Sequence, residues 1–297
     1  MKLFLGRSDL VGDTIMATVM LPYFEKLYPD SYKIWHILGK CSQAATLYLN
    51  HKLIDKIKIS KNLESYDEDD YELIKNCDIV INTRPNHDDI YWYNKRNCVS
   101  ETLKMAGINL NHLNFLLTEE EKRPKLEKWF NVGLFDENSV GYCKENYKIS
   151  EKTKNIAIKP FPGYNGGGKR SLSEKWWKEM VESLLKEGYE VRHYGYVTEP
   201  ILSNNSDYKR LVNLSFFDQV RAALDSKLCI LDDSGFSWAI GAYSHKSIHL
   251  LTNWQNGHND NFLAFAPINI NSINIFKQND INLIEKEEIL EKIKLII

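Results

Sequence analysis

The sequence predicts an α/β protein built from two parallel-sheet domains in tandem. Two observations carry this. Short apolar runs at 2–5, 32–38, 77–82, 155–159, 189–194 and 246–251 alternate with segments of helical period. Strands separated by helices build parallel sheets covered on both faces. The alternation is broken once, by a polar stretch with little periodicity at 137–154. The pattern restarts after it, which sets one domain over 1–145 and a second over 146–297.

In the first domain, strand 2–5 runs into a loop with a glycine at each end, Gly6 and Gly12. Asp13 opens a helix in which Ile15, Met16, Val19, Met20, Tyr23, Phe24 and Leu27 follow a helical period, and Pro22 kinks or restarts it. A helix is expected over 40–49, a short strand over 54–59 and an acidic helix over 66–75. Helices are also expected at 89–105 and 119–130. In the second domain, strand 155–159 leads into a turn-rich stretch, 160–170. Ser173 caps a helix that runs to Glu187, with Gly188 as its stop. Strand 211–214 and helix 216–226 follow, and the chain closes on an amphipathic helix at 285–297, free to pack back on the first domain.

The stretch 228–243, LCILDDSGFSWAIGAY, is central. A buried strand meets a helix through a polar turn, so the helix's first N–H groups point at the strand's carboxyl edge. Free amide donors and the positive dipole end coincide there, which suits a phosphate or diphosphate. Alternatively, Asp233 or Ser234 only caps the helix.

At 297 residues, with 43% apolar and 26% charged residues, the composition is that of an ordinary globular chain. A net charge of −2 gives no electrostatic footprint for nucleic acid. The first apolar run is too short for a signal peptide, and no run reaches membrane-spanning length. Five scattered cysteines without a C-x-x-C pair fit a reducing compartment. A cytoplasmic protein, at most peripheral to a membrane, is expected.

Ligands of open parallel sheets bind beyond the carboxyl ends of the strands. Four loops bring chemistry there. Asp13 is a helix cap or a general base. In 160–170 the glycines permit close backbone approach, and Lys169 with Arg170 can neutralise a diphosphate; otherwise the loop is solvated. Glu199 is a ribose acceptor or a solvated glutamate. The fourth loop is Asp233-Ser234-Gly235. Three other signals rank lower. Asp67-Glu68-Asp69 matches a metal-binding D-x-D, but it lies in an acidic run and reads as a solvated helix face. His245 and His249 lie on a strand, where a spacing of four lacks helical geometry for zinc. Tyr91, Trp92 and Tyr93 form an acceptor platform or part of the core.

Taken together, four segments resemble the heptosyltransferase-like family 9 glycosyltransferases in order and spacing. They are GDTIMATVMLPYFEKLYPDS, KPFPG with KRSLSEKWWKEMVESLLKEGYEV, HYGYVTE, and LVNLSFFDQVRAALDSKLCILDDSGFSWAIGAY. The resemblance implies the GT-B fold, in which two Rossmann-like domains with parallel sheets face a central cleft. It also implies an inverting, metal-independent transfer from a nucleoside-diphosphate sugar to a glycan, glycolipid or protein, without a cofactor. ADP-heptose is the donor of the best-known members, so an ADP-sugar is the first donor to test. By the resemblance, Asp13 deprotonates the acceptor and Lys169 or Arg170 holds the diphosphate. Glu199 binds the ribose, and Asp233, Ser234, Gly235 and Trp238 line the donor site. Arg7, Arg84, Lys95 and Arg96 are candidate acceptor contacts by position and charge. The chain departs from the pattern in four places. Trp238 replaces a histidine, Ser171-Leu172 replaces Trp-Pro, Val19 replaces a proline, and Thr252, Asn253 and Trp254 stand where a Gly-Pro turn is usual. Two alternatives remain: a non-catalytic nucleotide-sugar binder, and another group transferase on this fold, such as a polysaccharide pyruvyl transferase.

Overall fold

A computed structural model describes residues 1–6, 10–49, 51–82, 154–161, 171–243, 245–252, 271–277 and 280–297. The helices expected at 89–105 and 119–130, and the aromatic run at Tyr91, lie outside these residues. The chain divides into two compact units, Met1–Tyr142 and Cys143–Ile297. Among the described residues, no helix is long and apolar enough to cross a membrane.

The first unit carries a parallel sheet in the order β3-β2-β1-β4, formed by β1 (Lys2–Gly6), β2 (Tyr32–Ile37), β3 (Lys56–Ile59) and β4 (Ile79–Asn82). In register, Gly6 lies between His36 and Asn82. Helix α1 (Val11–Ala17) gives way to a 3-10 turn, and α2 (Leu21–Leu27) restarts with Pro22 in its first turn. A proline tolerates that place because its missing N–H would have no helical partner there. Residues Gly39–Tyr48, expected as an α-helix, form a 3-10 helix instead. Trp35 packs against Tyr48, whose hydroxyl donates to Thr14 Oγ1 at 3.1 Å, so this segment and α1 cover one face. The loop from β3 and α3 (Glu68–Lys75) serve the other face.

The acidic run is not wholly solvated, contrary to expectation. Asp67 and Asp70 are buried and form a reciprocal capping box at the start of α3. Asp67 also accepts from Lys61 N at 2.5 Å, and Lys58 lies 3.2 Å from Asp70. These donors hold the Asp67 carboxyl down to about 2, the Lys61 amide first among them.

The second unit carries six parallel strands in the order β10-β9-β8-β5-β6-β7. They are β5 (Asn155–Lys159), β6 (Glu190–His193), β7 (Tyr208–Arg210), β8 (Leu228–Asp232), β9 (Ser247–Thr252) and β10 (Ser272–Lys277). This is the doubly wound order of nucleotide-binding sheets. Strands β5, β8 and β9 are buried throughout, as continuous apolar runs demand. On α4 (Glu174–Lys186), Trp177, Met180, Val181 and Leu184 recur at helical spacing and enter the core with Ile158, Ile230 and Ile248. Ser173 caps α4 by accepting from Trp176 N, and Gly188, at φ +80°, ends it in the left-handed region that favours glycine. Helices α5 (Phe216–Leu224) and α6 (Gly235–Ala242) follow β7 and β8. The closing helix α7 (Lys286–Ile296) buries Ile289 and Ile293 in this same core, so its apolar face belongs to the second unit.

Two expectations shift. Strand β7 lies at Tyr208–Arg210, not 211–214: Leu211 N makes the last ladder bond, to the carbonyl of His193, and the chain turns immediately after it. The edge strand β10 carries no long apolar run and is absent from the sequence-based assignment.

Candidate functional site

In the second unit the chain reverses its direction across the sheet between β5 and β8. The carboxyl ends at such a switch point leave a crevice that ligands occupy. Lys159 ends β5 and Asp232 ends β8. Immediately after, Asp233, Ser234 and Gly235 sit half-buried at the start of α6. Ser234 is the N-cap residue, and Ser237 Oγ accepts from its N–H at 3.2 Å. Trp238 points into the protein, only 7% exposed.

Glu199 is not a solvated loop residue. Its side chain is 8% exposed, with Oε1 3.1 Å from Lys159 Nζ and Oε2 2.9 Å from His193 Nε2. A carboxylate only accepts, so Nε2 carries the proton, and His193 Nδ1 accepts from the Tyr208 hydroxyl at 2.6 Å. Burial would push Glu199 upward, but the hydrogen bond from His193 and the charge of Lys159 outweigh it and hold the carboxyl below its ordinary value. Burial lowers His193, against the pull of Glu199, and keeps the ring neutral. The loop itself is clamped: Arg210 Nη2 donates to the carbonyls of Val197 at 2.6 Å and Glu199 at 2.5 Å, and Gln219 Nε2 donates to that of Gly195 at 3.1 Å. A Cβ on Gly195 would overlap the Glu199 carboxylate, so the absence of a side chain there is what lets the acid fold inward.

Asp232 is the unexpected member. It is 1% exposed, and among the described residues neither carboxylate oxygen has a donor in full hydrogen-bond geometry, although the Ser234 hydroxyl is near enough to favour the charged form slightly. Burial pushes its carboxyl up to about 7, and the charge of Lys159 offsets only part of that. The folded protein therefore keeps this proton at pH values where the unfolded chain, at 3.8, has lost it. Stability should fall as pH rises from about 4 to about 7. Asp232→Asn should flatten that slope and be more stable than the parent at pH 8, by up to about 4 kcal/mol. Urea unfolding at pH 5 and pH 8 measures both; equal slopes in parent and variant would contradict the assignment.

In the first unit, Asp13 is half-buried in the first turn of α1, and its Oδ2 accepts from Leu10 N at 3.3 Å. It is thus a helix-start acceptor on the loop that follows the carboxyl end of β1. Lys169 and Arg170, and also Arg7, Arg84, Lys95 and Arg96, lie outside the described residues. His245, half-buried just before β9, and His249, buried on β9, are pushed down to about 4 and about 3 by loss of solvation. His249 Nε2 is 2.8 Å from Ser247 Oγ, a core contact. Among the described residues, no three His, Cys, Asp or Glu side chains cluster to hold a metal ion.

No family model matches the sequence, and no curated protein matches it. Solved structures do. A family 9 glycosyl transferase from Veillonella parvula superposes with a TM-score of 0.68 at 13% identity, covering 99% of this chain and 96% of that one. The E. coli ADP-heptose lipopolysaccharide heptosyltransferase II gives 0.62 at 12% identity, covering 100% and 98%. An E. coli heptosyltransferase solved with ADP gives 0.63 at 11%, covering both chains fully. The chain has the GT-B fold. Its two switch points are β1/β4 and β5/β8, the places where open parallel sheets leave a crevice. Lys159, His193, Arg210 and Asp232 escaped the sequence reading. The one available signal was polar residues ending otherwise apolar strands: Lys159 closing NIAIK and Asp232 closing LCILD.

Proposed function

We propose that this protein is a glycosyltransferase that moves a sugar from a nucleoside-diphosphate sugar to a glycan, glycolipid or protein acceptor, with inversion and without a metal. The observation that carries this is the half-buried start of α6, placed at the β5/β8 switch beside Lys159 and Glu199, in a chain that shares its whole fold with heptosyltransferases. In this proposal residues 146–297 hold the donor and residues 1–145 the acceptor. The amide groups of Gly235 and Phe236, in the first turn of α6, face the diphosphate, where the helix dipole favours negative charge; the Ser234 N–H is taken by Ser237 Oγ. Glu199, pinned from one side by Lys159 and His193, presents its remaining lone pairs to the ribose. Lys169 and Arg170 complete the charge on the leaving group. Asp13 takes the proton of the acceptor hydroxyl, and a single displacement then inverts the sugar.

ADP-heptose, carried by one of the similar proteins in name, is the first donor to try. The non-catalytic alternative draws on Trp238, which buries a ring where the resembling family has an imidazole. A thermal-shift series with ADP, UDP, GDP, CDP and their sugars, with and without EDTA, tests the donor assignment. A diphosphate at a hundred times its Kd should stabilise by about 2.7 kcal/mol. One base series raising the melt, unchanged by EDTA, is expected. No shift from any nucleotide would end the donor assignment. Binding without turnover on any acceptor would favour the non-catalytic protein.

A further inference from the structure

The first unit has its own switch point. Strand order β3-β2-β1-β4 reverses between β1 and β4, so the crevice opens beyond Gly6 and Asn82, which are register partners. Tyr66 lies across this edge. Its ring meets His36 at 4.8 Å and 89°, Phe4 at 6.0 Å and 87°, and Tyr71 at 5.9 Å and 81°. Its hydroxyl accepts from Asn82 Nδ2 at 2.7 Å. Tyr66 is half-buried and Asn82 exposed, so the pair reaches solvent.

The loop that delivers Tyr66 is built to hold still. Asn62 Nδ2 donates to the Tyr66 carbonyl at 3.1 Å, Ser60 Oγ to the Ser65 carbonyl at 2.9 Å, and Gly39 N to the Asn62 carbonyl at 3.0 Å. The Asp67 carboxylate anchors both ends, accepting from Lys61 N and Asp70 N. A polar loop this heavily tied, carrying a tyrosine to a switch-point edge, exceeds what joining β3 to α3 needs. The loop's neighbouring lysines are paired: Lys58 with Asp67 and Asp70, Lys61 with Asp69, and Lys40 with Glu64. Among the described residues, the ledge therefore offers an aromatic ring, a phenol and an amide, with its ammonium groups neutralised.

We propose that Tyr66 and Asn82 form a subsite for a neutral pyranose ring of the acceptor, at the carboxyl edge of β1 and β4. An aromatic ring packs against the apolar C–H side of a sugar, while the amide and phenol, each both donor and acceptor, meet its hydroxyls. This rests on the glycosyltransferase proposal for the role of the site, but the binding it claims does not need the donor.

The test is saturation-transfer-difference NMR of the full chain with methyl glucoside, galactoside, mannoside and N-acetylglucosaminide, and with a methyl glucuronide as the charged probe. At least one neutral glycoside should draw saturation to its ring protons. Asn82→Ala, an exposed change, should weaken that binding about tenfold with an unchanged melt. Tyr66→Phe, which keeps the packing, should weaken it less than Tyr66→Ser. No saturation from any neutral glycoside, an undiminished signal in Asn82→Ala, or binding of the glucuronide alone would overturn the subsite. The two proposals fail separately. A nucleotide shift without glycoside binding removes only this subsite. Glycoside binding without any nucleotide shift removes only the donor assignment.

Discussion

Asp13→Asn is expected to abolish sugar transfer while leaving donor binding and the melt unchanged. The substitution keeps an oxygen that can accept from Leu10 N, so the start of α1 retains its hydrogen bond. What it removes is the basicity. An amide cannot take the proton of an acceptor hydroxyl, and a positioned base contributes on the order of 10² to 10⁴ in rate. The measurement is kcat with the donor identified by thermal shift, beside the donor Kd of the same variant. Transfer within a few fold of the parent would leave Asp13 as a cap alone and move the base elsewhere. A lost donor Kd would mean the substitution acted on folding or on the donor site.

Lys159→Met is expected to destabilise the second unit by about 3–5 kcal/mol. Lys159 is 7% exposed and its partner Glu199 is 8% exposed, while Asp232, buried at the neighbouring strand end, feels the same ammonium. Removing the ammonium takes from two buried acids the cation that Lys159 gives them, and water cannot take its place as it would at a surface. The loss should shrink as pH falls from 8 to 6. Asp232 can then hold its proton. Urea unfolding at the two pH values measures this. The double variant Lys159→Met/Glu199→Gln should recover part of the loss, and the cycle isolates the pair. A loss below about 1 kcal/mol would place Lys159 with ordinary surface lysines.

Much of the fold was legible in single stretches. NIAIK and LCILD are apolar enough to be buried strands wherever they occur, and Trp177, Met180, Val181 and Leu184 mark the buried face of α4 by spacing alone. Ser173 and Gly188 set its ends by local backbone chemistry. The order of these pieces specified a doubly wound α/β protein and put the Asp233-Ser234-Gly235 turn at a strand's carboxyl edge. In each case the signal lies within a few residues, and so does the physics: a periodicity of burial, a cap, a missing side chain.

Charges behaved differently. Asp67 and Asp70 look like part of a solvated acidic face until Lys58, the Lys61 amide and α3's own N–H groups close around them. Glu199 looks like a loop glutamate until Lys159, forty positions away, and His193 bury it. Asp232 looks like one more turn residue, and only the packing of β8 shows it to be an acid in the core. Whether a charged side chain is solvated or buried depends on partners brought by other strands, and no local pattern encodes them. The sequence by itself determined most of the described strands and helices and their order, the edge strands β7 and β10 apart; the tertiary structure alone decided which charges are interior, because burial energy is set by the far side of the contact.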